Sequence, residues 1–142
     1  MKELPILVCG QMVRPILEGR KTHTRRVVKV AWSGTGEALL SQSRIDPAYK
    51  CPYGQPGDRL WVRETWGYSE DLPDGFQDGR HVSRRWLRYR ADGEAADVLR
   101  WKPSIHMPRW ASRITLEVVA VRVERLQDIS EEDAQAEGIE LA

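Results

Sequence analysis

The sequence predicts a mainly β domain of the α+β class, an open or closed β-barrel carrying small peripheral helices. Three observations predict it. Strand signals recur along the chain, at Leu4–Cys9, at Leu60–Val62, from Trp86 to Ala91 and from Arg113 to Leu126. Helical spacing is confined to two short stretches, and no internal repeat is present. The longest strand signal also changes phase midway, a device that helps a sheet curl. With 142 residues the chain fits a single domain spanning 1–142, large enough for a real core but not for two.

Leu4–Cys9 is a short apolar run that reads as a first buried strand. Met12, Val13, Ile16 and Leu17 then recur at i, i+1, i+4 and i+5, one face of a helix over Met12–Glu18. Pro15 is expected in its first turn, where proline is tolerated, and Gly19 is placed to end it through a left-handed cap. Residues 31–50 contain Ser33, Gly34, Gly36, Asp46 and Pro47 and read as loop. Pro56, Gly57 and Asp58 form a turn signal before the strand at Leu60–Val62. Residues 68–84, rich in Gly, Asp and Ser, read as a mobile insertion. Trp86, Arg88 and Arg90 alternate with Leu87, Tyr89 and Ala91, giving a strand with a cationic and an aliphatic face.

In the stretch from Arg113 to Leu126, Ile114, Leu116 and Val118 share one parity and Val119, Val121 and Val123 the other. A period of two cannot change phase without an extra residue, so a long strand with a bulge near Val118 and Val119 is expected. Ser130 followed by Asp133 resembles a capping box, Glu131 and Glu132 suit the positive end of a helix dipole, and Gly138 ends that helix.

Net charge is +1, so no global field draws the protein onto nucleic acid. The charges are segregated all the same. Arg14, Arg20, Lys21, Arg25, Arg26 and Lys29 cluster early, whereas Asp128, Glu131, Glu132, Asp133, Glu137 and Glu140 dominate the end. A local basic site on a near-neutral chain suits a small or short ligand better than long duplex DNA. Cys9 and Cys51 make no zinc-ligand pair with a nearby histidine, and His81 and His106 lack metal spacing, so neither a metal nor a cofactor is expected. No run is long enough for a signal-peptide core or a membrane span, so a soluble, cytoplasmic protein without membrane association is expected.

The densest chemistry lies at Gly19, Arg20, Lys21, Thr22, His23, Thr24, Arg25 and Arg26, where an amine and a hydroxyl three positions apart sit among arginines. A solvated basic turn is the competing account, and His23 is expected at the surface. Glu137 falls in the last turn of its helix, where a carboxylate opposes the dipole by roughly 0.3–1 kcal/mol. An exposed glutamate tolerated at that small cost competes with a functional one. Among six tryptophans, Trp61 is expected in the core. Trp66 and Trp110 stand at strand ends where barrel mouths lie, and Arg109 adjoins Trp110. Aromatic faces beside arginines can stack unpaired bases. Arg63 offers a partner for a phosphate or a base edge, and Glu64 for an exocyclic amine.

The spacing Gly19-x-Lys21-x-x-x-x-Arg26 resembles the signature of the ASCH domain, a small β-barrel related to the RNA-binding PUA domain. Residues 51–66, 103–113 and 129–139 are similar to segments of the phage- and prophage-associated branch of that family. The resemblance therefore covers most of the chain outside residues 31–48 and 68–84. It implies a PUA-like fold and a nucleobase-containing ligand. In the short members that act as N(4)-acetylcytidine amidohydrolases, a lysine, a threonine and a glutamate do the work, and by position these match Lys21, Thr24 and Glu137.

On that resemblance Thr24 would attack an amide carbonyl, Lys21 would accept the hydroxyl proton, and Glu137 would orient the amine or carry a proton to the leaving nitrogen. A lysine acting as a base near neutrality needs its pKa depressed by about three units, roughly 4 kcal/mol. Neighbouring arginines favour that depression and an ion pair with Glu137 opposes it. Arg26, Arg63, Glu64, Trp66, Arg109 and Trp110 are the expected ligand-binding residues. The implied partners are a modified nucleoside or single-stranded RNA. A non-catalytic PUA-like RNA- or nucleotide-binding module and a ribonuclease are the alternatives. Similar proteins continue into a final strand that this sequence lacks. Either the sequence is a piece of a longer chain, or another segment or a second subunit covers the open edge, with a homodimer as one expected outcome.

Overall fold

In a computed structural model, which describes residues 1–28, 51–73 and 83–139, two three-stranded sheets carry the fold. The first contains β1 (Glu3–Leu7), β2 (Arg59–Arg63) and β6 (Thr115–Glu117) in the order β1-β2-β6, with β1 parallel to β2 and β2 antiparallel to β6. The second contains β3 (Trp66–Ser69), β4 (Leu87–Tyr89) and β5 (Val98–Lys102), antiparallel in the order β4-β3-β5. Helices α1 (Gly10–Leu17) and α2 (Glu131–Ala136) complete this small, β-rich α+β fold. Among the described residues the strands close no barrel, and no helix is long and apolar enough to cross a membrane.

Side-chain alternation explains the first core. Leu4 and Ile6 of β1 lie opposite Leu60 and Val62 of β2, and Leu60 lies opposite Leu116 of β6, so all share one face. α1 covers that face with Val13, which is fully buried, and with Met12 and Ile16. Pro5 donates no ladder hydrogen bond, which β1 tolerates as an edge strand among the described residues. The helix ends as its glycine predicts. Gly19 adopts φ +74°, its N–H bonds Ile16 O at 3.1 Å, and Arg20 N bonds Pro15 O at 2.9 Å, a complete Schellman motif.

The second core is aromatic. Trp66, Tyr68, Leu87, Met107 and Ala111 are buried together, with Leu72, Tyr89 and Trp110 packed against them. Gly67 is required in β3 because a Cβ there would lie 2.7 Å from Arg100 O. The two sheets meet at Glu64, between β2 and β3. Arg113 donates to it twice, from Nε to Oε1 at 2.8 Å and from NH2 to Oε2 at 3.0 Å, and reaches Asp92 with NH1 at 2.8 Å. Its guanidinium also lies 4.1 Å from the Tyr89 ring centroid. Burial weakens the charged form of Arg113, but Glu64 and Asp92 outweigh it and hold the guanidinium above its ordinary range.

Several expectations need correction. The long bulged strand from Arg113 to Leu126 is only three residues, Thr115–Glu117. Val118 still donates to Asp58 O at 2.9 Å and accepts from Gly57 N at 2.8 Å, after which the described residues pair no further. The phase change at Val118–Val119 marks where pairing ends, and Val119 is left 83% exposed. The register irregularity falls instead between Gly67 and Ser69, where β3 meets β5. Pro15 is the sixth residue of α1 rather than part of its first turn. Tyr68 and Ser69, expected in an insertion, are buried strand residues. The whole loop expected over 31–50 and residues 74–82 of that insertion, with His81, lie outside the described residues.

Breaking the Glu64–Arg113 contact tests its importance. Glu64 is 1% exposed, so Glu64→Ala would strand part of a buried charge and is expected to lower unfolding free energy by about 3 kcal/mol. Denaturant titration with tryptophan fluorescence measures the loss.

Candidate functional site

The site begins where α1 stops. Pro15 O accepts from both Arg20 N and Lys21 N, at 2.9 and 3.0 Å, which turns the chain sharply away from the helix axis. The turn then docks on the end of α2. Thr22 N and His23 N both donate to Ala136 O, at 2.7 and 2.9 Å. Lys21 Nζ donates to Glu137 O at 2.8 Å and to His23 O at 2.7 Å. The C-terminal carbonyls of a helix have no partners within it, and here the basic turn supplies them.

α2 presents those carbonyls because both its ends are capped. Ser130 Oγ accepts from Asp133 N at 3.1 Å at the start. Gly138 takes φ +86° at the end, and Gly138 N donates to Gln135 O at 2.8 Å. Gly138 also allows close approach, since a Cβ there would lie 3.0 Å from Pro15 Cβ and 3.3 Å from Lys21 Cβ.

The Glu137 carboxylate does not pair with Lys21. It meets Arg25, Nε to Oε1 at 2.5 Å, while Arg25 NH2 reaches Glu124 at 2.8 Å and Asp133 at 3.6 Å. Asp133 also lies 3.5 Å from Arg122 and 3.8 Å from His23 Nδ1. Burial drives the Lys21 pKa below its ordinary value of 10.5; the Glu137 charge opposes this and Arg26 reinforces it. Burial, more than the neighbouring arginines, is the main cause of the lowering.

Lys21, Thr24, Arg25, Arg26 and Glu137 line one cleft of about 290 Å³, walled by Val8, Met12 and Ile139 with Cys9 at its edge. That volume sits near the lower end for small-molecule sites, ~300–1,000 Å³. Arg26 is anchored by donating to Leu7 O at 2.6 Å, and it lies 5.8 Å from the Tyr53 ring centroid. Thr24 is exposed, and its side chain makes no hydrogen bond among the described residues. With two carbonyls on Nζ, one tetrahedral direction of the amine is left over. That direction carries a proton when Lys21 is charged and a lone pair when it is neutral.

The other expected ligand residues lie elsewhere. Glu64 is committed to Arg113, and Trp66 is 2% exposed and meets Tyr68 and Trp110 edge-on at 5.2 and 6.0 Å. Arg63 stacks on Trp61 at 4.8 Å, and Arg109 bonds Glu3 at 3.1 Å. None of Arg63, Glu64, Trp66, Arg109 or Trp110 lines the cleft. Core packing claims these aromatics because their area is worth more buried than displayed. Arg25, absent from the expected residues, does line the cleft. The complementary charge clusters at the two ends of the chain were the signal that could have found it.

No family model, curated protein or solved structure matches this chain.

Gly138→Ala tests the joint between turn and helix. The substitution forces a left-handed conformation on a residue with a Cβ and presses it against Pro15 and Lys21, so a loss of about 1–2 kcal/mol is expected. Thermal unfolding followed by circular dichroism reads it, with Gly10→Ala, where nothing lies within 4 Å of the added Cβ, as the control.

Proposed function

We propose that this chain is an ASCH-type domain with a PUA-like barrel that hydrolyses the amide of an N(4)-acylated cytidine or a similar modified nucleoside. One observation carries the reading. Lys21 and Thr24 line the same cleft, and the Lys21 amine is held by two carbonyl oxygens rather than by a carboxylate. An amine held in this way can offer its remaining direction as a lone pair. A threonine hydroxyl in the same cleft gives that lone pair a proton to accept.

These positions support the following reaction. Thr24 Oγ1 attacks the acyl carbonyl carbon, and its proton passes to Lys21 Nζ. The carbon–nitrogen bond breaks, and the proton moves from Lys21 to the exocyclic nitrogen, releasing the free amino nucleoside. Water then attacks the threonine ester and gives a proton to Lys21. The acyl carbon–Oγ1 bond breaks, and Lys21 returns that proton to Thr24 Oγ1, releasing a carboxylic acid and regenerating the hydroxyl and the amine. Glu137 orients the amine through its carbonyl. Arg26, fixed on Leu7 O, supplies positive charge beside the developing oxyanion. The cleft volume suits a single base or nucleoside held at the acyl end.

Incubating the protein with N(4)-acetylcytidine and following cytidine by chromatography tests the reading. Lys21→Ala and Thr24→Ala are each expected to abolish hydrolysis, with the double variant no worse than either single, because groups acting as one unit fail together. Thr24→Ala should keep ligand affinity within about tenfold, roughly 1.4 kcal/mol. Lys21→Arg keeps the charge but does not deprotonate near neutral pH, so it should also be inactive. Activity in Lys21→Arg would exclude the general-base role. Ligand binding with no hydrolysis by the wild type would assign the domain to recognition alone.

A further inference from the structure

We infer that Arg25 is a positioning residue that draws the Glu137 carboxylate away from Lys21 and so keeps the Lys21 amine available as a proton acceptor. The inference rests on the general-base reading of Lys21 given above and extends it to a residue outside the Lys21, Thr24 and Glu137 set.

The geometry is specific. Residue 137 reaches Lys21 with its carbonyl, at 2.8 Å, so its carboxylate sits within a side chain's length of the amine. Left alone, it would turn to the nearest cation. The nearer claim is that of Arg25, whose Nε stands 2.5 Å from Glu137 Oε1. Arg25 is held there from its other side, since NH2 contacts Glu124 at 2.8 Å and Asp133 at 3.6 Å. Its side chain is only 23% exposed, which limits screening by water. Among the described residues no carboxylate oxygen pairs with Lys21 Nζ, although three carboxylates pair with its near neighbour.

Among the described residues the charged and titratable groups that face Lys21 are few. Glu137 faces it from α2, Cys9 from the start of α1, and Arg25 and Arg26 from the same cleft wall. Glu137 and Cys9 favour the ammonium form, and Arg26 disfavours it. Burial is the largest influence and lowers the Lys21 pKa, and the Glu137 charge is the strongest influence against it; a direct ion pair with that carboxylate would strengthen the opposition. A planar guanidinium with several donors can hold Glu137 on one side and Glu124 on the other, which a lysine ammonium does with less geometric control.

The test reads Lys21 directly by ¹³C NMR titration of its ε-carbon, so that it does not depend on any substrate. Arg25→Gln is expected to move the Lys21 midpoint upward by about one pH unit, a tenfold gain in proton affinity. Adding Glu137→Gln to Arg25→Gln should cancel that rise, because the released carboxylate causes it. Arg25→Lys, which keeps the fold's charge balance should Arg25→Gln fail to fold, is expected to give a smaller upward movement. Where N(4)-acetylcytidine is hydrolysed, the acid limb of kcat/KM should shift to higher pH in step, with activity recovered on the alkaline side. An unchanged Lys21 midpoint in folded Arg25→Gln or Arg25→Lys, or a rise that persists after Glu137→Gln, would overturn the inference. Failure of hydrolysis in the wild type, with the Lys21 midpoint still responding to Arg25, would overturn the proposed reaction and leave the positioning role standing.

Discussion

The carbonyl oxygens at the end of α2 need donors, and everything at the candidate site follows from where those donors come from. The turn after α1 provides three, Thr22 N, His23 N and Lys21 Nζ. This joins segments 116 residues apart in sequence and fixes the direction in which Lys21 points. Leaving such carbonyls buried and unpaired would cost roughly 1–3 kcal/mol each, so the joint is favoured by the backbone alone. Glycines at both helix ends make it possible. Gly19 redirects the chain off α1, and Gly138 removes the Cβ that would hold Pro15 and Lys21 away.

The segregated charges of the sequence have a different meaning in the fold. The early basic cluster reads in the sequence as a local site for a small or short ligand, but much of it is neutralised by the chain's own acids. Arg20 pairs with Glu18 at 2.7 Å, and Arg25 gathers Glu124, Asp133 and Glu137. The exposed Arg20–Glu18 pair contributes little stability, about 0–1 kcal/mol, and the Arg25 pairs are more buried. Their effect on the site is larger than their effect on the fold, because they remove field from the cleft. The aromatic rings behave in the same way: Trp61, Trp66, Trp86 and Trp101 each already carry a cation of this chain on a face, within 5.5 Å of the ring centroid.

Local signals were legible where they obeyed one rule at a time. The first strand, α1, the Leu60–Val62 strand, the Ser130 cap and both terminal glycines follow from periodicity and capping, and they stand within a residue or two of the expected positions. β3 was missed because Trp66, Gly67, Tyr68 and Ser69 are all buried, which erases the alternation that announces a strand. β5 was missed because Leu99 and Arg100 are consecutive exposed residues, where alternation would bury one. The roles of Glu64 and Trp66 were out of reach for a related reason. A carboxylate beside tryptophans reads as a pocket until its partner, Arg113, just before β6, is known from a distant part of the chain. Lys21, Thr24 and Glu137 were legible only through their spacing. Their meeting in one cleft depends on the helix-end joint, which no local pattern encodes.

A base built from lysine must be judged on charge more than on reach. Two charges about 4 Å apart near a protein surface interact by about 4 kcal/mol at an effective dielectric constant of 20. That equals the depression of about three pKa units a lysine needs to serve near neutrality. A direct Lys21–Glu137 ion pair would therefore work strongly against the lowering by burial, whereas two neutral carbonyls hold the amine with far smaller bias toward the ammonium. The fold achieves both contacts with a single residue. It presents the carbonyl of Glu137 to Lys21 and turns its carboxylate to Arg25. The hold on the amine and the pairing of the carboxylate, which a direct salt bridge would couple, are in this way assigned to separate atoms.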